Sequence, residues 1–338
     1  MNSRSSPLIS VVVPIFNEVQ VIQEFHDRMS RIAQQGGHCR YRIIYVDDGS
    51  KDGSHELLCK IAQMDERVWV IKLSRNFGHQ PALTAGLDYA EGDAVVFIDA
   101  DLQDPPEVIP RLVEVWQEGF DVVHARRMRR RGESKLKLLT AKVFYRTIAV
   151  ISQVQIPQDV GDFRLLSRKV VDQLRSMRER DRYLRGLSSW VGFRQTSVHF
   201  DRDERFAGGT KYSYPKMFNF AVDGITSFSN APLRLATWFG FGAAFLSFIY
   251  MIIVLVQKFM GYTVEGWATI MVTILFVGGI QLICLGILGE YLGRVFNEVK
   301  CRPIYIVDEM TGVQSEAVLL PVNSDFVVST GRSAKLEN

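Results

Sequence analysis

The chain has 338 residues, 47% of them hydrophobic and 23% charged, which is enough to bury a large core and to form more than one domain. Its 40 lysines and arginines nearly balance its 37 acidic residues, which argues against a protein that coats nucleic acid through its overall charge. Its four cysteines form no C-x-x-C pair, which argues against a disulfide scaffold or a cysteine-based zinc site and favours a reducing compartment.

Short β-rich runs alternate with helical patterns in the N-terminal part of the chain. Strands are predicted at 8–13, 41–46, 68–73, 94–98 and 121–123, and helices at 18–35, 52–63, 79–90 and 107–118. The strands are continuous apolar runs, as expected when helices cover both faces of a parallel sheet. The sequence therefore predicts an α/β domain with a Rossmann-like, mostly parallel sheet. It has no G-x-G-x-x-G in the first turn and no Walker-type lysine loop, which argues against the common dinucleotide and P-loop sites.

Two clusters of acidic residues follow predicted strands. Asp47 and Asp48 come directly after one strand, and Asp99 and Asp101 come directly after another. Ligands of open α/β sheets bind beyond the carboxyl ends of the strands, where both clusters are expected to lie. Asp99 and Asp101 would share a face of an extended chain at about 7 Å between Cα atoms, a gap that Mg²⁺ or Mn²⁺ can bridge with help from substrate phosphates. Taken alone, each cluster also fits an ordinary turn or helix cap.

Basic residues are concentrated in two places. Between residues 124 and 146, nine lysines and arginines stand against one acid, Glu133, just after the strand predicted to end at 123. A second basic group, Arg182, Arg185, Arg202, Arg205 and Lys211, precedes the hydrophobic part of the chain. Guanidinium groups bind phosphate oxygens and lysines attract anionic lipid headgroups, although a solvated surface has the same composition. The histidines lack an H-E-x-x-H spacing, and His79 is predicted to play a structural role at a helix start.

Two long uncharged segments follow, at 235–256 and 267–289. Each is long enough to cross a hydrocarbon core of about 30 Å as a helix, and buried helices of a soluble core are the alternative. Basic residues flank the pair on both outer sides, which places both flanks in the cytoplasm by the positive-inside rule. The sequence thus predicts a cytosolic domain at 1–211, an interfacial helical segment at 212–234, two transmembrane helices, and a cytosolic tail at 290–338.

Several motifs carry a resemblance to a known family. Residues 11–18 (VVVPIFNE), 46–50 (VDDGS) and 99–107 (DADLQDPPE) look like glycosyltransferase family 2. With residues 161–165, 182–186 and 205–212, the chain resembles the polyprenyl-phosphate glycosyltransferases, especially the bactoprenol-phosphate glucosyltransferases, which are related to dolichol-phosphate mannose synthases. The resemblance extends from about residue 8 to residue 307 and includes both uncharged segments.

The resemblance implies a GT-A fold and a reaction. A hexose, with glucose from UDP-glucose as the favoured case, would pass with inversion to undecaprenyl phosphate on the cytoplasmic face of the inner membrane, for cell-envelope glycans such as lipopolysaccharide. GDP-mannose, UDP-N-acetylhexosamine and UDP-aminoarabinose are alternative donors. A processive polysaccharide synthase is disfavoured because the Q-x-x-R-W motif is missing, and a non-catalytic membrane scaffold is the alternative from another class. A flippase is an expected downstream partner, and Gly289 and Gly293 form a G-x-x-x-G that permits a homo-oligomer.

The resemblance also implies site residues. The predicted nucleotide-sugar contacts are Pro14, Asn17, Glu18, Asp47, Asp48, Asp99, Ala100 and Asp101. The predicted ligands of Mg²⁺ or Mn²⁺ are Asp99, Asp101 and Gln103, and the predicted catalytic residues are Asp162 and Asp101. The predicted diphosphate and acceptor contacts are Arg126, Arg130, Lys135, Arg182, Arg205 and Lys211. A lipid phosphate is already largely anionic at neutral pH, so Asp162 is expected to orient the acceptor or stabilise positive charge, with a general-base role as the alternative.

Overall fold

The computed structural model describes residues 6–35, 38–128, 160–180, 182–201, 231–261 and 266–313. Four predicted phosphate-binding residues, Arg130, Lys135, Arg205 and Lys211, lie outside the described residues, and so do the predicted interfacial segment up to residue 230 and the tail beyond 313.

The described strands are β1 (Leu8–Ile15), β2 (Arg40–Asp47), β3 (Val68–Leu73), β4 (Ala94–Phe97), β5 (Val122–Arg127), β6 (Val160–Ser167), β7 (Gln195–Phe200) and β8 (Val307–Thr311). The described helices are α1 (Val19–Gln35), α2 (Ser54–Met64), α3 (His79–Tyr89), α4 (Ile109–Gln117), α5 (Arg168–Ser176), α6 (Leu184–Trp190), α7 (Ala231–Phe259) and α8 (Trp267–Val299), with a turn of 3₁₀-helix at Pro106–Val108. All five predicted strands and all four predicted helices of the N-terminal part are confirmed.

The strands form one sheet in the order β7-β5-β6-β4-β1-β2-β3-β8. Strand β1 is parallel to β2 and β4, β2 is parallel to β3, and β5 is parallel to β7. Two strands that were not predicted are antiparallel to their neighbours: β6 lies between β4 and β5, and β8 lies beside β3. Because β6 runs in the opposite direction, its first residues lie at the edge of the sheet where β4 and β5 end.

Helices cover both faces of this sheet, as the apolar strands predicted. Along β1, Val11 and Val13 face the side covered by α1, α2 and α4, whereas Val12 faces the side covered by α3, α5 and α6. Helix α3 approaches β1 closely, since a Cβ at Gly86 would lie 2.2 Å from Cγ1 of Val12. This close packing fixes the position of α3, whose first residue is His79.

The two predicted hydrophobic segments lie on α7 and α8, and Cys284 Sγ on α8 is 3.4 Å from the carbonyl oxygen of Ala236 on α7. In the part of the chain that the structure describes, one segment, Phe276–Val299, is long and apolar enough to cross a membrane by length and composition. The apolar stretch Ala236–Tyr250 on α7 is shorter. The helix pair is therefore present, while two membrane crossings stay a prediction.

Candidate active site

The loops after β1 and β2 are joined to each other by hydrogen bonds. Asn17 adopts a left-handed backbone with φ of 54°, a conformation that asparagine tolerates. Its backbone N–H donates to Ser50 Oγ at 3.0 Å, and its Oδ1 accepts from the backbone N–H of Lys51 at 2.9 Å. The backbone N–H of Glu18 donates to Ser54 Oγ at 3.1 Å. Two of the predicted nucleotide-sugar residues, Asn17 and Glu18, thus lie against the loop that carries the first acidic cluster.

Asp47 and Asp48 are buried at the end of β2 and accept hydrogen bonds from the surrounding loops. The two carboxylate oxygens of Asp48 accept backbone hydrogen bonds from Phe77 at 2.7 Å and from Gly78 at 2.9 Å. Burial raises the pKa of Asp48 although these two hydrogen bonds oppose the shift. Asp47 accepts a hydrogen bond from the backbone N–H of Ser50 at 3.0 Å. Asp48 therefore ties β2 to the start of α3, and its predicted nucleoside contact stays a prediction.

The second acidic cluster lies in a tight turn after β4. Asp99 is partly exposed, and its Oδ1 is 3.0 Å from His79 Nε2. Asp101 Oδ1 accepts a hydrogen bond from the backbone N–H of Gln103 at 3.1 Å. Between Asp101 and Gln103, Leu102 is buried with φ of 59°, a strained conformation for leucine. The turn therefore holds both carboxylates at the same edge of the sheet as the first cluster.

Asp162 reaches this edge because β6 is antiparallel. It lies two residues before Arg164, which pairs with Phe97 at the end of β4. Its Oδ1 is 3.2 Å from Arg164 Nη2, and its Oδ2 is 3.3 Å from Arg185 Nη2. Burial would raise the pKa of Asp162, but the charges of Arg185, Arg164 and His79 together hold it below its ordinary value. Asp162 is therefore an anion at neutral pH.

Arg164 is a fully buried arginine that fixes this carboxylate. Its side chain is 1% exposed, and it donates to the carbonyl oxygens of Gly161 at 2.8 Å and Asp162 at 3.2 Å and to the hydroxyl of Ser188. Burial lowers the pKa of Arg164 to about 10, so it remains a cation at neutral pH. Its hydrogen bonds hold the guanidinium within the protein, whereas Arg185 is partly exposed.

His79 lies between Asp99 and Asp162, a position that its predicted structural role did not include. Its Nε2 faces Asp99 at 3.0 Å, and its Nδ1 is 3.9 Å from Asp162 Oδ2. Burial would lower the pKa of His79, but the hydrogen bond with Asp99 and the charges of Asp99 and Asp162 raise it. One signal in the sequence was available, because His79 follows β3 just as the two acidic clusters follow β2 and β4.

The predicted phosphate-binding arginines are not all at this site. Arg126 is exposed near the end of β5, whereas its neighbour Arg127 pairs with Asp104 at 3.0 Å. Arg182 is buried and donates to the carbonyl oxygen of Leu174, so it does not join Asp162. The arginine of this segment that does pair with Asp162 is Arg185.

The predicted metal ligands Asp99, Asp101 and Gln103 lie in the same turn after β4, where the backbone N–H of Gln103 donates to Asp101. Among the described residues there is no group of three or more His, Cys, Asp or Glu side chains that could hold a metal ion. Hard oxygen donors suit Mg²⁺ and Mn²⁺, and Mg²⁺ commonly uses one or two carboxylates while substrate phosphates and water complete its shell. The carboxylate and amide oxygens of this turn are thus of the chemical type that Mg²⁺ and Mn²⁺ bind.

Comparison with known proteins covers both parts of the chain. Residues 10–175 match the model of Glycosyl transferase family 2, and residues 231–295 match the model of the GtrB C-terminal hairpin. An uncharacterized glycosyltransferase, YkcC of Bacillus subtilis, is 48% identical over 91% of this chain and 95% of its own length. The bactoprenol glucosyl transferase of Shigella phage SfII is 45% identical over 88% of this chain and 97% of its own length. Among solved structures, the mannosyltransferase PcManGT from Pyrobaculum calidifontis aligns with 15% identity and a TM-score of 0.44 over 82% of this chain and 87% of that chain. The sequence relatives thus match the sheet domain and the helix pair together, over nearly their full length.

Proposed function

We propose that this chain, which belongs to glycosyltransferase family 2, transfers glucose from a nucleotide sugar to the phosphate of a polyprenyl monophosphate. The observation that carries the proposal is the 45% identity to bactoprenol glucosyl transferases over 88% of the chain, together with the match to the GtrB C-terminal hairpin. In this reaction an oxygen of the acceptor phosphate bonds to the anomeric carbon with inversion. The bond from that carbon to the donor diphosphate breaks, and the nucleoside diphosphate leaves.

The donor half of the site is assigned to the loops after β1, β2 and β4. We assign the nucleoside to Pro14, Asn17, Glu18, Asp47 and Asp48, and the diphosphate to Asp99, Ala100 and Asp101. The hydrogen bonds between the first two loops support a shared pocket. Asp99, Asp101 and Gln103 would hold Mg²⁺ or Mn²⁺, which stabilises negative charge on the leaving diphosphate when bound. UDP-glucose is the proposed donor.

The acceptor half is assigned to Asp162 and the basic side chains around it. The acceptor phosphate has a second pKa of about 6, so at neutral pH it attacks without first losing a proton. Asp162 is kept anionic by Arg164 and Arg185, which suits it to stabilising the positive charge that develops at the anomeric carbon. Arg185 takes the place that the sequence assigned to Arg182, because it is partly exposed beside Asp162.

The hydrophobic helices are proposed to anchor the enzyme in the cytoplasmic membrane, with the catalytic domain in the cytosol. Large apolar side chains along both helices are exposed, including Trp238 and Phe241 on α7 and Phe276 and Leu282 on α8. A soluble protein rarely exposes so continuous an apolar surface, and a bilayer would cover it. We propose that α7 and α8 each cross the membrane and that both flanks are cytosolic.

The test is transfer of label from a nucleotide sugar into a lipid. Purified enzyme in detergent is incubated with undecaprenyl phosphate and radiolabelled UDP-glucose, GDP-mannose, UDP-N-acetylglucosamine or UDP-aminoarabinose, and label is counted in the organic phase. We expect transfer from UDP-glucose that EDTA abolishes and Mg²⁺ or Mn²⁺ restores. Asp101→Asn should lose this activity. The control variant Asp121→Asn should keep it, because Asp121 is a carboxylate that lies just before β5, on the opposite edge of the sheet.

Each outcome of this test bears on a different part of the proposal. Transfer from another donor would replace glucose but keep the reaction. Transfer that survives EDTA would remove the metal role of Asp99 and Asp101. An enzyme that binds UDP but transfers from no donor would contradict the proposed activity and favour a non-catalytic scaffold.

A further inference from the structure

The chain that leaves α8 returns to the catalytic sheet. Strand β8 lies antiparallel to β3, with Thr311 opposite Val70 and Glu309 opposite Lys72. Just before it, the carbonyl oxygen of Ile306 accepts a hydrogen bond from the backbone N–H of Ser74 at 2.9 Å. Strand β8 thus covers the edge of β3, which would otherwise present unpaired backbone groups.

Tyr305 connects this returning segment to α3. Its hydroxyl donates to Asp88 Oδ2 at 2.8 Å, and Arg178 pairs with the same oxygen at 2.7 Å. Burial and then the charge of Asp88 raise the pKa of Tyr305, so the phenol keeps its proton. Asp88 lies near the end of α3, and His79 is the first residue of that helix. The returning segment therefore contacts α3 at the end opposite to His79.

Strand β8 also contacts the donor side of the sheet. Glu309 Oε2 is 3.6 Å from His55 Nε2, and the other ring nitrogen of His55 is 3.6 Å from the buried carboxylate of Asp47. On the same strand, Asp308 pairs with Lys72 at 3.2 Å. These contacts place β8 beside α2 and β3.

The end of α8 is attached to the catalytic domain as well. Glu298 Oε2, in the last turn of α8, accepts a hydrogen bond from the backbone N–H of Arg180 at 2.9 Å. Helix α8 ends at Val299 and β8 begins at Val307, so seven residues, 300–306, connect them. Seven residues span at most about 24 Å when fully extended, so β8 pairs with β3 only if the end of α8 stays close to the sheet.

We propose that residues 303–313 form an intramolecular strap that holds the catalytic domain at a fixed position relative to the cytosolic end of α8. An acceptor phosphate on a membrane-anchored lipid lies at a fixed height, so the strap sets the reach of the donor site toward it. Transfer to a lipid in a bilayer requires the strap, whereas binding of the nucleotide sugar and transfer to a soluble acceptor do not. This inference rests on the proposed function.

Adding a methyl group at Gly312 should displace the strap from β3. A Cβ there would lie 2.3 Å from the carbonyl oxygen of Val68, and Gly312 has φ of 81°. Gly192→Ala is the matched control, because Gly192 has a similar φ of 72° and its nearest contact would be an ordinary 3.9 Å. Tyr305→Phe is a milder second variant, which removes only the hydroxyl bonded to Asp88.

The assay compares two acceptors in the full-length enzyme. Transfer from UDP-glucose is measured to undecaprenyl phosphate in vesicles and to a short-chain, water-soluble prenyl phosphate, and UDP-glucose binding is measured by calorimetry. We expect Gly312→Ala to lower transfer in vesicles by about tenfold or more relative to Gly192→Ala. Its rate of transfer to the water-soluble acceptor and its Kd for UDP-glucose should stay within about twofold of the values for Gly192→Ala. Tyr305→Phe should shift the same ratio in the same direction.

Two results would overturn the strap. One is equal transfer in vesicles by Gly312→Ala, Tyr305→Phe and the control, and the other is an equal loss with both acceptors. Wild-type enzyme that transfers to neither acceptor would instead contradict the proposed function, so the two failures are distinguishable.

A disulfide tests whether the strap belongs to the same chain. Cys59 Sγ on α2 is 3.8 Å from Thr311 Oγ1 on β8, so Thr311→Cys should form a disulfide with Cys59 on oxidation. We expect the cross-link within one chain, with transfer in vesicles retained. A covalent dimer joined through Cys59 and residue 311 would show that a second copy donates the strand, and loss of transfer that a reductant restores would show that the strap must release. Either result would overturn the proposal.

Discussion

Replacing Asp162 with asparagine tests how this carboxylate acts. Its pKa lies below the ordinary 3.8, whereas the acceptor phosphate has a second pKa of about 6. A gap of about two units or more makes proton transfer from the phosphate to Asp162 unfavourable by about 3 kcal/mol, at about 1.4 kcal/mol per unit. Asp162 is therefore a poor general base, and we expect it to act through its charge.

We expect Asp162→Asn to lower kcat by roughly 100- to 1000-fold, the range for losing one preorganised electrostatic group. Because no proton transfer to Asp162 is involved, the shape of the pH–rate profile between about pH 6 and 9 should not change. The assay is the initial rate of transfer into undecaprenyl phosphate at saturating donor. A variant whose residual rate climbs with pH toward the wild-type rate would refute this reasoning and make Asp162 a general base.

The same substitution should destabilise the fold, because it leaves the buried guanidinium of Arg164 without its anion. Breaking a buried pair costs about 3 to 5 kcal/mol, and the low end is expected since asparagine still accepts a hydrogen bond. The pKa of Asp162 is depressed in the folded state, so its contribution is complete above 3.8 and is lost as the pH falls through the lower folded-state value. Thermal melting in detergent should show a difference between wild type and variant that shrinks in acid.

Asp121→Asn separates stability from chemistry in this experiment. Asp121 pairs with Lys169 at 2.8 Å and accepts from Ser167 Oγ at 3.3 Å, on the edge of the sheet opposite to Asp162. It should lower the melting temperature but leave kcat close to wild type. An equal loss of kcat in both variants would attribute the effect of Asp162→Asn to unfolding.

Three further substitutions test the rest of the site. Asp48→Asn leaves one carbonyl oxygen to accept the two backbone hydrogen bonds that Phe77 and Gly78 donate. The free energy of unfolding should therefore fall by about 1 to 3 kcal/mol, which melting curves measure, and the KM for the donor should rise, which initial rates measure. His79→Gln cannot bridge Asp99 and Asp162, so kcat should fall. The melting temperature should barely change, because the ring is 42% exposed and such pairs contribute about 1 kcal/mol or less. Unchanged kcat would contradict the bridging role. Asp99→Asn should raise the Mn²⁺ concentration needed for half-maximal rate by roughly tenfold or more, and an unchanged metal titration would remove Asp99 from the metal site.

The sheet was predictable wherever its strands are apolar on both faces. Strands β1 and β4 are buried and mostly apolar, with valines in the middle of each. A parallel strand between two layers of helices is expected to have such a continuous apolar run. Strand β6 was not predicted from the sequence because Asp162 and Arg164 interrupt its apolar pattern. These two polar residues pair with each other on one face of the strand, and that pairing is visible only in the folded chain.

Strand β8 and the carboxylate contacts of His79 were not predicted for a related reason. The sequence of β8 is VDEMT, whose acidic residues meet partners on β3 and α2 that are more than 200 positions earlier in the chain. His79 sits at a helix start, where a cap is the simplest local interpretation, but its two carboxylate partners are brought to it by β4 and by the antiparallel β6. Local sequence patterns predict elements, whereas these contacts depend on the order and direction of the strands.

The direction of β6 also decides where Asp162 lies. If β6 were parallel to β4, its first residues would lie at the opposite edge, about 15 Å or more from the turn after β4 at about 3.3 Å per residue. Its antiparallel direction instead places Asp162 beside His79 and Asp99. Arg164 is fully enclosed and bonds Asp162, Gly161 and Ser188 within the protein, whereas Arg185 is partly exposed. The two arginines on this carboxylate therefore differ in exposure.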